Sequence, residues 1–223
     1  PRVRWYDNEK SQTETCTIEI VTSPNNPNGK ICEPKFNTSL EIFDYVYNWP
    51  SFRGNLSDVE NDSKPPIIIF SLSKLTGYAA SRFGWAFVRD RDVAQAMDSY
   101  IFINGQGSSV EAQYRATRIL QTIMNDTEVS FFDFVRDRLT SRWNRLMNVL
   151  ADQDMLSIDG VPNQLFAWLR CSDSSCFDAF AREGLRVSRG DEFGSPSNET
   201  HVRIVMGQDE STFDLLIERV GKV

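Results

Sequence analysis

The chain has 223 residues, with 24 Lys+Arg against 31 Asp+Glu and a formal net charge of −7. Hydrophobic residues make up 40% and charged residues 25%, the balance of a globular protein rather than of a disordered tail. The acidic balance, with no dense basic stretch, excludes a general nucleic-acid binder, and the purely apolar runs, Ile67–Phe70 among them, are far too short to cross a bilayer.

The chain opens on Pro1, with no initiating Met, signal peptide or Arg-rich presequence, and so reads as part of a longer protein. Five Asn-x-Ser/Thr sequons start at Asn37, Asn55, Asn61, Asn125 and Asn198. As glycosylation candidates they lean toward a secretory or vacuolar lumen, with a cytoplasmic location as the alternative. Cys16, Cys32, Cys171 and Cys176 are too few for a disulfide-built scaffold, and with His201 as the single histidine they form no metal-binding spacing.

Up to about residue 105, short β-rich runs alternate with turn clusters. Thr17–Val21 reads as a strand stopped by Ser23-Pro24-Asn25-Asn26-Pro27-Asn28-Gly29, and Leu40–Phe43 as a second strand. Ile67–Phe70, continuous and β-branched, fits a strand buried on both faces of a mainly parallel sheet, and Phe83–Val88 is a fourth. The polar segment 51–66 between the second and third reads as a surface excursion. From about residue 91 the period becomes helical: Asp92–Ile101, Val110–Met124 and, most strongly, Asp126–Leu150. In the last of these Phe132, Val135, Leu139, Trp143, Leu146 and Leu150 share one face, with Asp126 or Thr127 able to cap the start. Strands at Gln164–Arg170, Leu185–Ser188 and His201–Met206 and helices at Cys176–Arg182 and Ser211–Val220 then predict a smaller α+β unit.

The chemistry gathers after the strands, where open α/β sheets place their ligands. Asn26 lies in the first turn. Asp44, followed by Val46 and Tyr47, sets a carboxylate and a phenol around an apolar residue. Ser71-Leu72-Ser73-Lys74 puts an amine at the mouth of the buried strand, and Arg82 follows eight residues later. Ser71, Ser73 and Arg82 would make a cationic, hydroxyl-lined pocket suited to a phosphate. Taken singly, each also reads as an ordinary turn or surface residue.

Together SPNNPNG, DYVYNWP and SLSKLTGYAASRFGWAFVRD resemble the fold-type I pyridoxal-phosphate enzymes, and more narrowly the alliinase and tryptophan-aminotransferase-related family. The resemblance implies a fold in two parts. Residues 1–124 would be the second half of a cofactor-binding large domain, a mainly parallel sheet with flanking helices, and residues 125–223 a small α+β C-terminal domain. It also implies pyridoxal 5'-phosphate as cofactor, with an N-terminal portion elsewhere supplying further phosphate ligands and a ring that stacks on it. Lys74 would bond the cofactor and act as general base at the substrate α-carbon. Asp44 would pair with the pyridine nitrogen, Asn26 and Tyr47 with the phenolic oxygen, Val46 would pack on the ring, and Ser71 and Arg82 would hold the phosphate. Arg203, in His201-Val202-Arg203-Ile204-Val205, would bind the substrate carboxylate, with Gly190-Asp191-Glu192-Phe193-Gly194 as a loop nearby.

Two features depart from the family pattern. Tyr78 stands where members usually carry a histidine, and the gap between Cys171 and Cys176 is short, a separation that permits but does not require a bridge. The activity implied is amino transfer from an L-amino acid, aromatic and tryptophan-like by preference, with a 2-oxo acid as second substrate and a homodimer as the assembly. The alternatives are carbon–sulfur lysis of cysteine sulfoxides and a non-catalytic fragment.

Overall fold

The computed structural model describes residues 17–52, 66–125, 130–195 and 200–223. Among them, one sheet holds β1 (Ile18–Thr22), β2 (Leu40–Asp44), β3 (Ile67–Ser71) and β4 (Gly84–Val88) in that order. The first three run parallel, Val21 paired with Phe43 and Ile42 with Ile67, while β4 closes the edge antiparallel, Trp85 paired with Phe70. As its unbroken apolar run predicts, β3 lies inside the sheet, with Ile67, Ile68 and Phe70 buried.

The parallel strands deliver their C-terminal ends to a common edge. β3 passes directly into a short helix, α1 (Leu72–Thr76), whose entry is capped by Ser71: its hydroxyl accepts from the Ser73 N–H at 3.2 Å. Gly77 ends the helix at φ 74°, a left-handed conformation that costs glycine no Cβ clash. The sequence pattern places no helix here, because five residues are too few to display a period. Helices α2 (Arg91–Gly105) and α3 (Val110–Asn125) follow where periodicity puts them.

Helix α4 (Phe131–Leu150) begins later than its pattern predicts; Asp126 and Thr127 lie outside the described residues, and Ser130 occupies the N-cap without a side-chain bond. Its stripe is as expected, with Leu139, Trp143, Leu146 and Leu150 buried. Trp143 donates from Nε1 to the Gln164 carbonyl at 2.8 Å, and the Gln164 side chain donates to the Phe52 carbonyl at 2.8 Å. That double attachment corrects the surface reading of 51–66 at its start. Ser51 and Phe52 form a buried 3-10 turn under α4, and residues 53–65 lie outside the described set.

The second sheet is antiparallel, in the order β5 (Leu156–Ile158), β6 (Phe166–Cys171), β8 (His201–Val205), β7 (Ser188–Arg189). Helices α5 (Ser175–Arg182) and α6 (Glu210–Val220) add Phe180 and Phe213 to its core. The predicted strand Leu185–Ser188 shrinks to two residues, because the Leu185 N–H is taken by the Phe180 carbonyl at 2.9 Å in the turn that ends α5. β6 likewise begins at Phe166 rather than Gln164, whose groups serve the bridge to α4. Cys171 and Cys176 form a disulfide across a Cα separation of 6.0 Å, joining the end of β6 to α5, while Cys32 is a free thiol. One apolar core is continuous between the sheets, passing through Trp49, which lies nearly parallel to Phe132 of α4.

Truncating the residue that ties α4 to the rest tests this architecture. Trp143→Ala should lower the unfolding free energy by about 3–5 kcal/mol in urea titration; a loss below about 1 kcal/mol would place α4 outside the cooperative core.

Candidate active site

Asp44 is the last residue of β2. Its Oδ1 accepts from the Val46 N–H at 3.2 Å, so the chain turns at once and leaves Val46 half-buried against the core and Tyr47 buried. Burial pushes the Asp44 carboxyl above its ordinary range, against the opposing pull of the Val46 N–H and of the Lys74 ammonium. Lys74 follows the end of β3 by three residues. It is exposed on α1, yet its ammonium stands over the Tyr47 ring, 5.6 Å from the centroid, while acting on Asp44. Amine, carboxylate and phenol from two strand ends therefore meet at one edge of the sheet.

Beside them, Ser73 and Ser81 bring their hydroxyls to 3.0 Å, and the Ala79 carbonyl accepts from both Ser73 Oγ at 3.4 Å and Arg82 Nη1 at 3.3 Å. Arg82 is exposed and adopts φ 48°. The chain thus gathers the hydroxyls and the cation predicted for a phosphate, adds Ser81, which the sequence reading passed over, and uses the Ser71 hydroxyl as the cap of α1.

The turn after β1 is stiffened from within. Asn25 N–H donates to the Lys30 carbonyl at 2.8 Å, Gly29 N–H to the Asn25 carbonyl at 2.8 Å, and Asn25 Nδ2 to Asn28 Oδ1 at 3.0 Å. The turn also docks on the second sheet, the Val161 N–H donating to the Asn28 carbonyl at 2.8 Å. Gly29, at φ 70°, sits where a Cβ would meet Gln164 Cγ at 2.6 Å, so no other residue allows this approach. The hollow lined by Pro24, Pro27, Gly29, Tyr47, Gln164 and Phe166 holds about 10 Å³, room for a water and not for a cofactor. The candidate site is instead the open edge where Lys74 lies.

Arg203 reaches that edge from β8. Nη1 donates to Asn26 Oδ1 at 3.0 Å and Nη2 to Ser188 Oγ at 3.4 Å, while Nε is buried with no hydrogen-bond partner among the described residues. Burial pulls its pKa below the usual arginine range, opposed by attraction to the Tyr47 phenol and Glu192. An arginine held by neutral acceptors, with a buried donor unmet, is prepared for an anion. Phe166 and Ser188 around it were missed in sequence, whereas Phe193 belongs to the 190–194 loop expected nearby. Tyr78, the departure from the family's histidine, is exposed and accepts at its hydroxyl from Arg115 Nη1 of α3 at 3.2 Å.

Comparison with known structures defines the fold. An aminotransferase from Staphylococcus aureus superposes with a TM-score of 0.72 at 24% identity, covering 92% of this chain and 57% of that one. The histidinol-phosphate aminotransferase of Clostridium acetobutylicum gives 0.70 at 18% identity, covering 92% and 63%. The fold is that of the pyridoxal-phosphate-dependent aminotransferases. In sequence, a family model described as Allinase (Alliinase_C) matches residues 3–223, and the chain belongs to that family. It is 30% identical to tryptophan aminotransferase-related protein 3 of Arabidopsis thaliana over 98% of its length, and 32% identical to tryptophan aminotransferase-related protein 1 of Oryza sativa subsp. japonica. It is also 28% identical to an alliin lyase of Allium cepa var. aggregatum, over 96% of its length. The chain spans about half the length of these relatives, 50%, 55% and 52% respectively.

The family's cofactor is pyridoxal 5'-phosphate, and two observations in this chain fit it. A half-buried carboxyl with a raised pKa would be relieved by a cationic ring nitrogen, and the unmet Arg203 donor by an anion. The first has a measurable signature without cofactor. A carboxyl whose pKa is raised by folding contributes most stability below the ordinary aspartate range, and that contribution is lost as pH rises through the raised value. Urea midpoints of the cofactor-free protein should therefore contain a component that declines as pH rises above about 4. Asp44→Asn should remove that component, and an identical pH profile in the variant would contradict the assignment.

Proposed function

We propose that the protein is a pyridoxal-phosphate-dependent aminotransferase acting on an L-amino acid, with an aromatic, tryptophan-like substrate favoured and a 2-oxo acid as second substrate. Residues 1–124 form the second half of its cofactor-binding domain and residues 125–223 its small C-terminal domain. The observation that carries this reading is the convergence, through Asn26 and Tyr47, of the Arg203 guanidinium on the edge that bears Lys74 and Asp44. The relatives named tryptophan aminotransferase-related proteins support the reaction and the substrate preference.

Pyridoxal phosphate, when bound, supplies an electron sink for the pair left at the substrate α-carbon on proton loss. Lys74 would hold its aldehyde carbon, Asp44 its ring nitrogen, Asn26 and Tyr47 its phenolic oxygen, Val46 one face, and Ser71 and Arg82 its phosphate. Arg203 binds the substrate carboxylate through a planar fork that a lysine could not offer. Once the substrate amine has displaced it, the free Lys74 amine would take the proton from the substrate α-carbon and hold it for return. Asp44 would keep the ring nitrogen protonated, that positive charge in turn favouring the ionised carboxylate.

Carbon–sulfur lysis is the second reading, supported by the similarity to alliin lyases. The Cys171–Cys176 bond and the exposed sequon residues Asn37 and Asn125 support a secretory or vacuolar route; Asn55, Asn61 and Asn198 lie outside the described residues. A homodimer is supported by α2, whose Tyr100, Ile101, Phe102 and Ile103 form an exposed apolar run that a soluble protein covers.

In the intact protein, borohydride should fix the cofactor to Lys74, and Lys74→Ala should abolish that adduct and slow turnover by about 10²–10⁴-fold. Full turnover in the variant would reject the mechanism. An oxo acid formed only with an acceptor present identifies the transaminase, whereas ammonia and pyruvate from a cysteine sulfoxide identify the lyase.

A further inference from the structure

Arg203 is flanked by two phenyl rings. Phe166 at the start of β6 and Phe193 in the 3-10 turn after β7 each stand with their centroid 4.5 Å from the guanidinium carbon. A flat cation against aromatic faces resists tilting, and the bonds from Nη1 to Asn26 and from Nη2 to Ser188 oppose rotation in its own plane. What remains unmet among the described residues is the buried Nε–H and one N–H on each Nη, all in that plane.

Both rings are braced from behind. Trp168 meets Phe193 edge to face at 5.8 Å, and His201 lies flat on Trp168 at 4.9 Å and 3°. His201 Nε2 in turn bonds Asp159 Oδ2 at 2.8 Å, and Asp159 also accepts from Arg170 at 3.1 Å. On the other side Tyr47, the ring beneath the Lys74 ammonium, meets Phe166 edge to face at 5.4 Å. Phe166 and Phe193 are themselves only half-buried. Register explains the convergence: Trp168 and Ser188 are the ladder partners of Arg203 on either side of β8.

We propose that Phe166 and Phe193 are positioning residues that fix the plane of the Arg203 guanidinium, so that its open edge accepts a planar carboxylate in preference to a tetrahedral anion. The Trp168–His201 stack holds Phe193 in place for this purpose. The inference rests on the proposed role of Arg203 as the substrate-carboxylate residue and adds the basis of its selectivity.

Two measurements on the intact protein test it. The Arg203 Nε–H resonance, assigned by its loss in Arg203→Lys, should lie upfield of free arginine through the ring currents. It should move toward the free value in Phe166→Leu and in Phe193→Leu, and stay in Phe193→Tyr. Titration with 3-phenylpropionate and with 2-phenylethanesulfonate, which share a skeleton, should favour the carboxylate. Phe193→Leu should weaken carboxylate binding by about five- to tenfold and the sulfonate less, narrowing the ratio; Phe193→Tyr should restore it. A resonance that ignores both leucine substitutions, or a carboxylate preference that survives them, overturns the proposal. A resonance that moves as expected while neither acid binds the wild-type protein leaves the clamp standing and rejects the amino-acid reading of Arg203.

Discussion

The hydrogen bond from Arg203 to Asn26 joins residues 177 positions apart and crosses the seam between the two sheets. On one side lies a turn locked by its own backbone bonds; on the other, the central pair of an antiparallel sheet. A bond to a charged donor contributes about 1.5–3 kcal/mol, yet its larger effect is geometric. It brings a cation fixed by the second sheet to the edge where the first presents an amine and a carboxylate. Burial opposes the charge, and Asn26, Ser188 and the rings stabilise it without neutralising it.

The other half of the site follows from parallel pairing. Strands that run the same way end on the same side, so Asn26, Asp44 and Lys74 converge although separate segments carry them. α1 extends this logic with a minimum of chain. Ser71 caps it, Gly77 ends it, and between them Leu72 and Leu75 bury themselves and leave Lys74 outward. Gln164 then fixes α4 and the Phe52 turn relative to both sheets.

Where residues stand close behind their strand in sequence, the sequence could be read. SPNNPNG, DYVYNWP and SLSK each begin at a strand end, and the three- and four-residue spacing of α4 carries its own signal. Phe166 and Ser188 were opaque because antiparallel register, which no local pattern encodes, brings them to Arg203. The buried turn at Ser51–Phe52 was hidden behind polar neighbours, and the strand expected at Leu185 was lost to the hydrogen bonding that closes α5. The exposure of Lys74 depends on a helix too short to announce itself.

Asn26 spends its carbonyl oxygen on the arginine and has its amide nitrogen on the same rigid carboxamide. The two ends of that group cannot be oriented independently: an acceptor that captures the nitrogen also aims the oxygen. Thermodynamic reciprocity then makes any coupling carried by that carboxamide, between occupancy on the first sheet and anion binding on the second, equal in both directions.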